Sequence, residues 1–123
     1  MRGSIQDVPV AMEALGVVIR QAEWGDMNVG LESFPAGTDT EPVFKGLPDD
    51  RCQCAHWGYV VKGKISFKTA GGEETFETGD AYYVAPGHTP VLYAGTELVE
   101  FTPTKEHDQA MAVVSKNMEA AAV

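Results

Sequence analysis

The chain has 123 residues, 18 acidic and 9 basic, and a formal charge of −9 at neutral pH. That length holds one domain, residues 1–123, with a modest core. The acidic balance, with no basic stripe interleaved with aromatics, argues against a nucleic-acid partner. No apolar run approaches the roughly 20 residues of a membrane helix, and Asp7 and Pro9 break the N-terminus before a signal region can form, so a cytoplasmic protein is expected.

Residues 15–24, from Leu15 to Trp24, read as a first strand, and Gly25-Asp26 as a turn. Met27, Val29 and Leu31 then alternate with polar or small residues in a second strand ending at Phe34-Pro35-Ala36-Gly37. Residues 38–50 carry Pro42, Gly46 and Pro48, follow neither period and read as a loop. Its apolar members Val43, Phe44 and Leu47 suit a lid over a cavity mouth or packing on the body of the fold. Strands follow at 54–62 and 65–68, joined by a hairpin at Lys62-Gly63-Lys64, with Ile65 and Phe67 on one face and Ser66 and Lys68 on the other. Further strands are expected at 74–77, 81–84, 90–93 and 98–101, divided by Gly/Pro turns. Many short strands at this spacing predict an all-β, antiparallel jelly-roll barrel. After them Thr102-Pro103 supplies an N-cap and a first-turn proline for a C-terminal helix over about 103–121. Met111, Val114 and Met118 recur on it at helical spacing and are expected to pack on the barrel or on a second subunit.

Chemistry concentrates in Cys52-Gln53-Cys54-Ala55-His56 and Pro86-Gly87-His88, which hold both cysteines and two of the 3 histidines. In an extended strand Cys52, Cys54 and His56 point the same way, with Asp50 in phase. Two residues of strand separate Cα atoms by about 6.6 Å with parallel Cβ vectors, so a Cys52–Cys54 disulfide is disfavoured. Thiolates beside imidazoles suit a transition metal, and the alternative is that the cysteines are small buried hydrophobes. The expectation is one ion per chain held by His56 and His88 with Cys54, Cys52 or both, zinc first and ferrous iron second.

At these residues the chain resembles a small single-domain bacterial cupin over roughly residues 29–103. Gly63 stands where the first cupin motif ends, which sets His56 at the position of the usual glutamate, Cys52 at that of the second histidine and Asp50 at that of the first. Gly79-Asp80 and Pro86-Gly87 match the second motif, but Pro90 takes the usual histidine position and His88 stands two residues early. The resemblance implies a jelly roll, a metal site, a homodimer and a small-molecule ligand.

Other residues leave alternatives open. Glu100, between Val99 and Phe101, reads as a solvated carboxylate; in the reversed phase it points inward as a ligand or general base. One of the adjacent Tyr82 and Tyr83 faces the cavity as a hydrogen-bond donor, so Tyr83 and Glu100 are the catalytic candidates. Trp57 and Tyr59 are expected between the sheets or at an interface, and His107 on the surface. Two classes of function follow. One is a metal-dependent enzyme of the oxygenase, isomerase or lyase type acting on a small organic molecule. The other is a non-catalytic module that binds or senses a metal or small ligand. Four converging protein ligands favour the second class, and three with an open position favour the first.

Overall fold

Turn glycines and β-rich segments divide the chain into ten strands. The computed structural model describes residues 1–14 and 16–122; Leu15, expected to open the first strand, lies outside the described residues. Strands β1 (Val10–Ala14), β2 (Val17–Trp24), β3 (Met27–Phe34) and β4 (Thr38–Asp39) precede β5 (His56–Lys62) and β6 (Lys64–Thr69). Then come β7 (Gly72–Glu77), β8 (Ala81–Val84), β9 (Thr89–Leu92), β10 (Thr96–Pro103) and the helix α1 (Thr104–Ala122). They form a six-stranded sheet in the order β1-β2-β3-β10-β5-β8 and a four-stranded sheet in the order β4-β9-β6-β7. Every strand pairing is antiparallel. The jelly-roll class is as expected, but the two sheets do not close into a barrel.

The core comprises side chains of both sheets: Phe34, Val60 and Leu98 of the larger meet Ile65, Phe67 and Leu92 of the smaller. Each such burial contributes about 1.5–3 kcal/mol, which is what the alternating strands were selected to supply. Ser66 departs from the expected two-faced pattern of β6. It is fully buried, and its hydroxyl meets those of Thr75 and Tyr93.

Most strand ends shift by one or two residues from the sequence reading, and three larger differences stand out. Val10–Ala14 forms an edge strand on β2, although Ala, Met and Glu favour helix, because pairing with β2 overrides local propensity. The segment 38–50 contains β4 and two short 3-10 turns, Glu41–Phe44 and Pro48–Asp50. Helix α1 starts at Thr104 directly after β10; Thr102 stays in the strand with its side chain buried, so neither Thr102 as N-cap nor Pro103 as first helical residue holds. The backbone N–H of Thr104 instead donates to Asp26 O.

Helix α1 packs against the 3-10 turn at Glu41–Phe44 and against β3 and β10 of the larger sheet. Val114 and Met118 are buried against its own chain, and with Met111 they line the interior cavity. Asn117 ties the helix to the 3-10 turn below it, donating to Val43 O at 2.7 Å and Lys45 O at 2.8 Å. Among the described residues no helix is long and apolar enough to cross a membrane.

Candidate metal centre and its cavity

Cys52 and His88 are brought together by backbone. The Cys52 N–H donates to His88 O at 2.8 Å, and Cys52 O accepts from Gly87 N–H at 2.7 Å and from His88 N–H at 3.2 Å. This closure needs the tight turn at Pro86-Gly87, where Gly87 has φ +94°. His56, the first residue of β5, pairs with Val84 of β8 and so starts beside the same turn. The ligand atoms of Cys52, His56 and His88 lie within 4.8 Å of one another, and all three residues are buried. The Cys52 Sγ to His56 Nε2 separation is 3.7 Å, close to the roughly 3.5 Å between a sulfur and a nitrogen on one tetrahedral zinc.

The hydrogen bonds behind the cluster fix which atoms point into it. His88 is 0% exposed, its Nδ1 donates to Ala85 O at 2.7 Å, and its Nε2 has no partner. A buried polar ring nitrogen left without a hydrogen-bond partner is costly unless something binds it. A backbone carbonyl behind the ring is the usual support of a metal-ligating histidine. His56 Nδ1 lies 2.7 Å from Thr102 Oγ1 and 3.3 Å from Glu100 Oε1, which leaves its Nε2 facing Cys52. Tyr82 OH donates to Glu100 Oε2 at 2.5 Å. The residues present therefore fit a transition metal, with two oriented imidazoles and a thiol converging on one point.

The same packing sets the charges. The Cys54 thiol, against burial and with help from His56 and His88, pulls the Cys52 pKa down to about 2. Burial opposes a charge on His56, but Glu100 and the Cys52 sulfur outweigh it and hold its pKa up, at about 9. Without metal the pair is thus thiolate and imidazolium at neutral pH. The Cys52 sulfur and burial push Cys54 upward, so it stays a thiol, and its Sγ donates to Glu106 O at 3.2 Å. Burial first and Glu100 second raise Glu32 to about 8, and the same two causes push Tyr82 upward.

Above the cluster opens a cavity of about 340 Å³ whose walls are mostly apolar and whose roof is the 3-10 turn at Glu41–Phe44 and α1. Pro42, Val43 and Phe44 of the 38–50 segment line it.

No protein-family model matches the chain, and no curated protein matches it in sequence. Solved structures do. An RmlC-like cupin from Shewanella frigidimarina NCIMB 400 superposes with a TM-score of 0.60 at 17% identity, covering 86% of this chain and 93% of that one. KdgF from Halomonas sp. gives 0.56 at 19% identity, over 81% and 92%. An HppE structure described as Fe(II)-bound with the alternative substrate (S)-1-HPP gives 0.56 at 11% identity, over 83% of this chain but 59% of that one. The chain has the cupin fold.

On this cupin scaffold the candidates sort by strand phase. Cys52, His56 and His88 converge, whereas Cys54, whose sulfur meets Cys52 on one side and Glu106 O at 3.2 Å on the other, is not among the residues whose ligand atoms lie within 4.8 Å of one another. Asp50 is exposed in a 3-10 turn. Glu100 points inward, 11% exposed, correcting the surface reading; Val99 and Phe101 take the outer face. Tyr82 lines the interior, and Tyr83 is 52% exposed against Trp57 on the outside, so Tyr83 is displaced as a catalytic candidate. Trp57 and Tyr59 are likewise exposed on the outer face and lie between no layers. His107 lines the cavity with its Nε2 3.0 Å from Gln21 Nε2, so it is not a surface residue. Sequence reasoning missed Glu32 and Thr102. Both share the inward phase of β3 and β10 with Gly30 and Glu100, a signal open to anyone who first placed Glu100 inside.

Proposed function

We propose that this cupin is a mononuclear metal-dependent enzyme acting on a small organic molecule. Cys52, His56 and His88 would hold the ion, zinc first and ferrous iron second, because one thiolate and two imidazoles form a mixed sulfur–nitrogen set. The observation that carries the reading is the orphaned His88 Nε2 beside His56 and Cys52 at the floor of a mostly apolar cavity. Three converging protein ligands, with the Cys54 thiol outside the group, favour an open coordination position over a structural site. A bound ion there supplies Lewis-acid polarisation of a substrate oxygen.

The chain's own residues do the rest. Thr102 and Glu100 orient the His56 ring, Tyr82 holds Glu100, and Glu32 presents a carboxyl group to the cavity that burial keeps protonated up to about pH 8. Such a group can deliver or accept a proton near neutrality. A homodimer is part of the proposal, and the exposed outer row of Trp57, Tyr59 and Tyr83 is the face assigned to it, since the helix methionines are used within the chain. Sedimentation that found only monomer at micromolar concentration would remove that part.

The test of the site is metal uptake. Purified protein reduced and offered zinc or ferrous iron is expected to bind one ion per chain by elemental analysis, and His88→Ala is expected to lose most of it. His107→Ala, outside the cluster, is expected to keep it. Uptake that is absent, or indifferent to His88, would leave a cavity that works through Tyr82, Glu32 and Glu100 alone.

A further inference from the structure

A metal at the cluster does not say what lies above it; the walls do. None of the chain's 9 lysines and arginines lines the cavity, whereas Glu32, Glu100 and the Cys52 thiolate do. Glu100 is already engaged, by Tyr82 on one oxygen and His56 on the other. His107, the remaining ionisable group on the wall, is held by Gln21 and flanked by Asp108. The rest is mostly hydrocarbon and thioether, with Phe34, Phe44, Ile65, Leu92, Met111 and Val114 as the main surfaces, and its polar groups, those of Asn28, Thr38, Thr40 and Thr102, are uncharged.

We infer that the cavity takes an uncharged small molecule, apolar over most of its length, that presents one carbonyl or hydroxyl oxygen to the Cys52/His56/His88 cluster. The inference rests on the metal-site reading above and narrows it to a substrate class. A carboxylate or phosphate entering here meets no basic side chain, and the charge of a divalent ion is already offset by Cys52 and Glu100. An ammonium meets the positive charge of that ion, with Glu32 the one wall carboxyl not already engaged. A carboxylate or phosphate is left buried without a partner and an ammonium is set against a like charge, both of which apolar surroundings penalise heavily. The net charge of −9 adds long-range repulsion of anions. The body of the ligand is read loosely, because Met12, Met111 and Met118 on the wall are flexible and adapt to shape.

The experiment uses zinc-loaded protein with N-phenyl-1-naphthylamine as an uncharged fluorescent probe. It is displaced by three molecules that share one carbon skeleton: cinnamamide, cinnamate and cinnamylamine. Cinnamamide is expected to displace the probe at a concentration at least ~10-fold below either charged analogue at neutral pH. Cinnamate or cinnamylamine binding as well as the amide overturns the inference. Val114→Trp, which fills the cavity, is expected to weaken probe binding at least ~10-fold while zinc content holds. Probe binding unchanged in that variant overturns it too. Should Val114→Trp not fold, methyl NMR of the wild type replaces it. Shifts on adding cinnamamide are expected at Met111 and Val114, and shifts confined to the outer row beside Trp57 and Tyr83 refute the cavity as the site. Zinc measured on the same sample separates the two readings. Zinc bound without preference for the amide overturns the inference alone, and a preference in protein that takes up no zinc overturns the metal reading alone.

Discussion

Replacing Glu100 by Gln keeps the shape of the side chain and removes its charge, and the consequence for metal binding should change with pH. In the metal-free wild type, Glu100 is the leading attractive influence that lifts His56 from 6.5 to about 9. Near pH 7 roughly one molecule in a hundred then has a neutral His56, so deprotonation lowers apparent metal affinity by about 100-fold. With Gln at 100, His56 loses the largest of its attractions while the Cys52 sulfur still raises it, so its pKa falls and this proton competition weakens near pH 7. The same substitution also removes the carboxylate behind the ring, a loss that typically costs 10–100-fold in intrinsic metal affinity. The two effects oppose each other near neutrality and part company in base. Glu100→Gln should bind about as tightly as wild type, or several-fold tighter, near pH 7, and about 10- to 80-fold weaker near pH 9.5. Cobalt(II) as a stand-in for zinc, followed by its thiolate charge-transfer absorbance in competition with a chelator, measures both. A deficit of equal size at the two pH values would show that Glu100 does not hold a proton on His56, and the electrostatic reading of the site would fail.

Gly58→Ala places a methyl group into the ring of Tyr82, whose Cε2 would lie 2.6 Å from it, and should cost about 1–3 kcal/mol by urea unfolding, with a weakened Tyr82–Glu100 bond. Wild-type stability in Gly58→Ala would mean that Tyr82 is free to move. Glu32 has a folded pKa raised from 4.5 to about 8, so its contribution is fully present below about pH 4.5 and is lost as pH rises through 8. Glu32→Gln should therefore flatten the fall in urea midpoint between those values and leave the variant the more stable one above pH 8. An unchanged slope would exclude Glu32 as its source. Asn117→Ala removes both bonds from α1 to the 3-10 turn and should cost about 1–3 kcal/mol, with faster amide exchange at Val43. Protection at Val43 equal to wild type would show that the clamp does not hold the roof.

The strand plan was legible because its turns carry Gly and Pro and its strands alternate. Ala81–Val84 falls where the sequence puts it, and Met27–Phe34 agrees with the alternation of Met27, Val29 and Leu31. Val10–Ala14 was not legible, since Val-Ala-Met-Glu-Ala has no strand preference of its own and becomes one only on the edge of β2. His56 and His88 could be paired in advance through the motif spacing. The absence of Cys54 from the converging group could not, because it depends on a bridge between Cys52 and His88 that breaks the strand phase. Glu100 was misread for a different reason. Its neighbours in sequence, Val99 and Phe101, look like core, whereas its neighbours in space decide its face, and those are glycines.

Those glycines explain how a carboxylate comes to lie under a cupin cavity at all. Across the larger sheet, Gly30, Glu100, Gly58 and Tyr82 stand in one row on β3, β10, β5 and β8, by the pairings Glu100↔Gly30, Glu100↔Gly58 and Gly58↔Tyr82. A side chain at either glycine would fill the space beside Glu100. Without them, Tyr82 leans over Gly58 to donate to Glu100, and Glu32 folds back to within 3.0 Å of where a Cβ on Gly30 would sit. His56, two residues before Gly58 on the same face of β5, then meets Glu100 from the other side. A cross-strand row in one sheet thus supplies the carboxylate of the cluster, while two of its three candidate ligands, Cys52 and His88, hang from a backbone bridge outside that row. Glu100 acts on the His56 proton from the row, and the Cys52 sulfur acts on it from the bridge. That separation is why a change at Glu100 can alter the pH dependence of binding while the Cys52–His88 bridge, and with it the position of the ligands, stays in place.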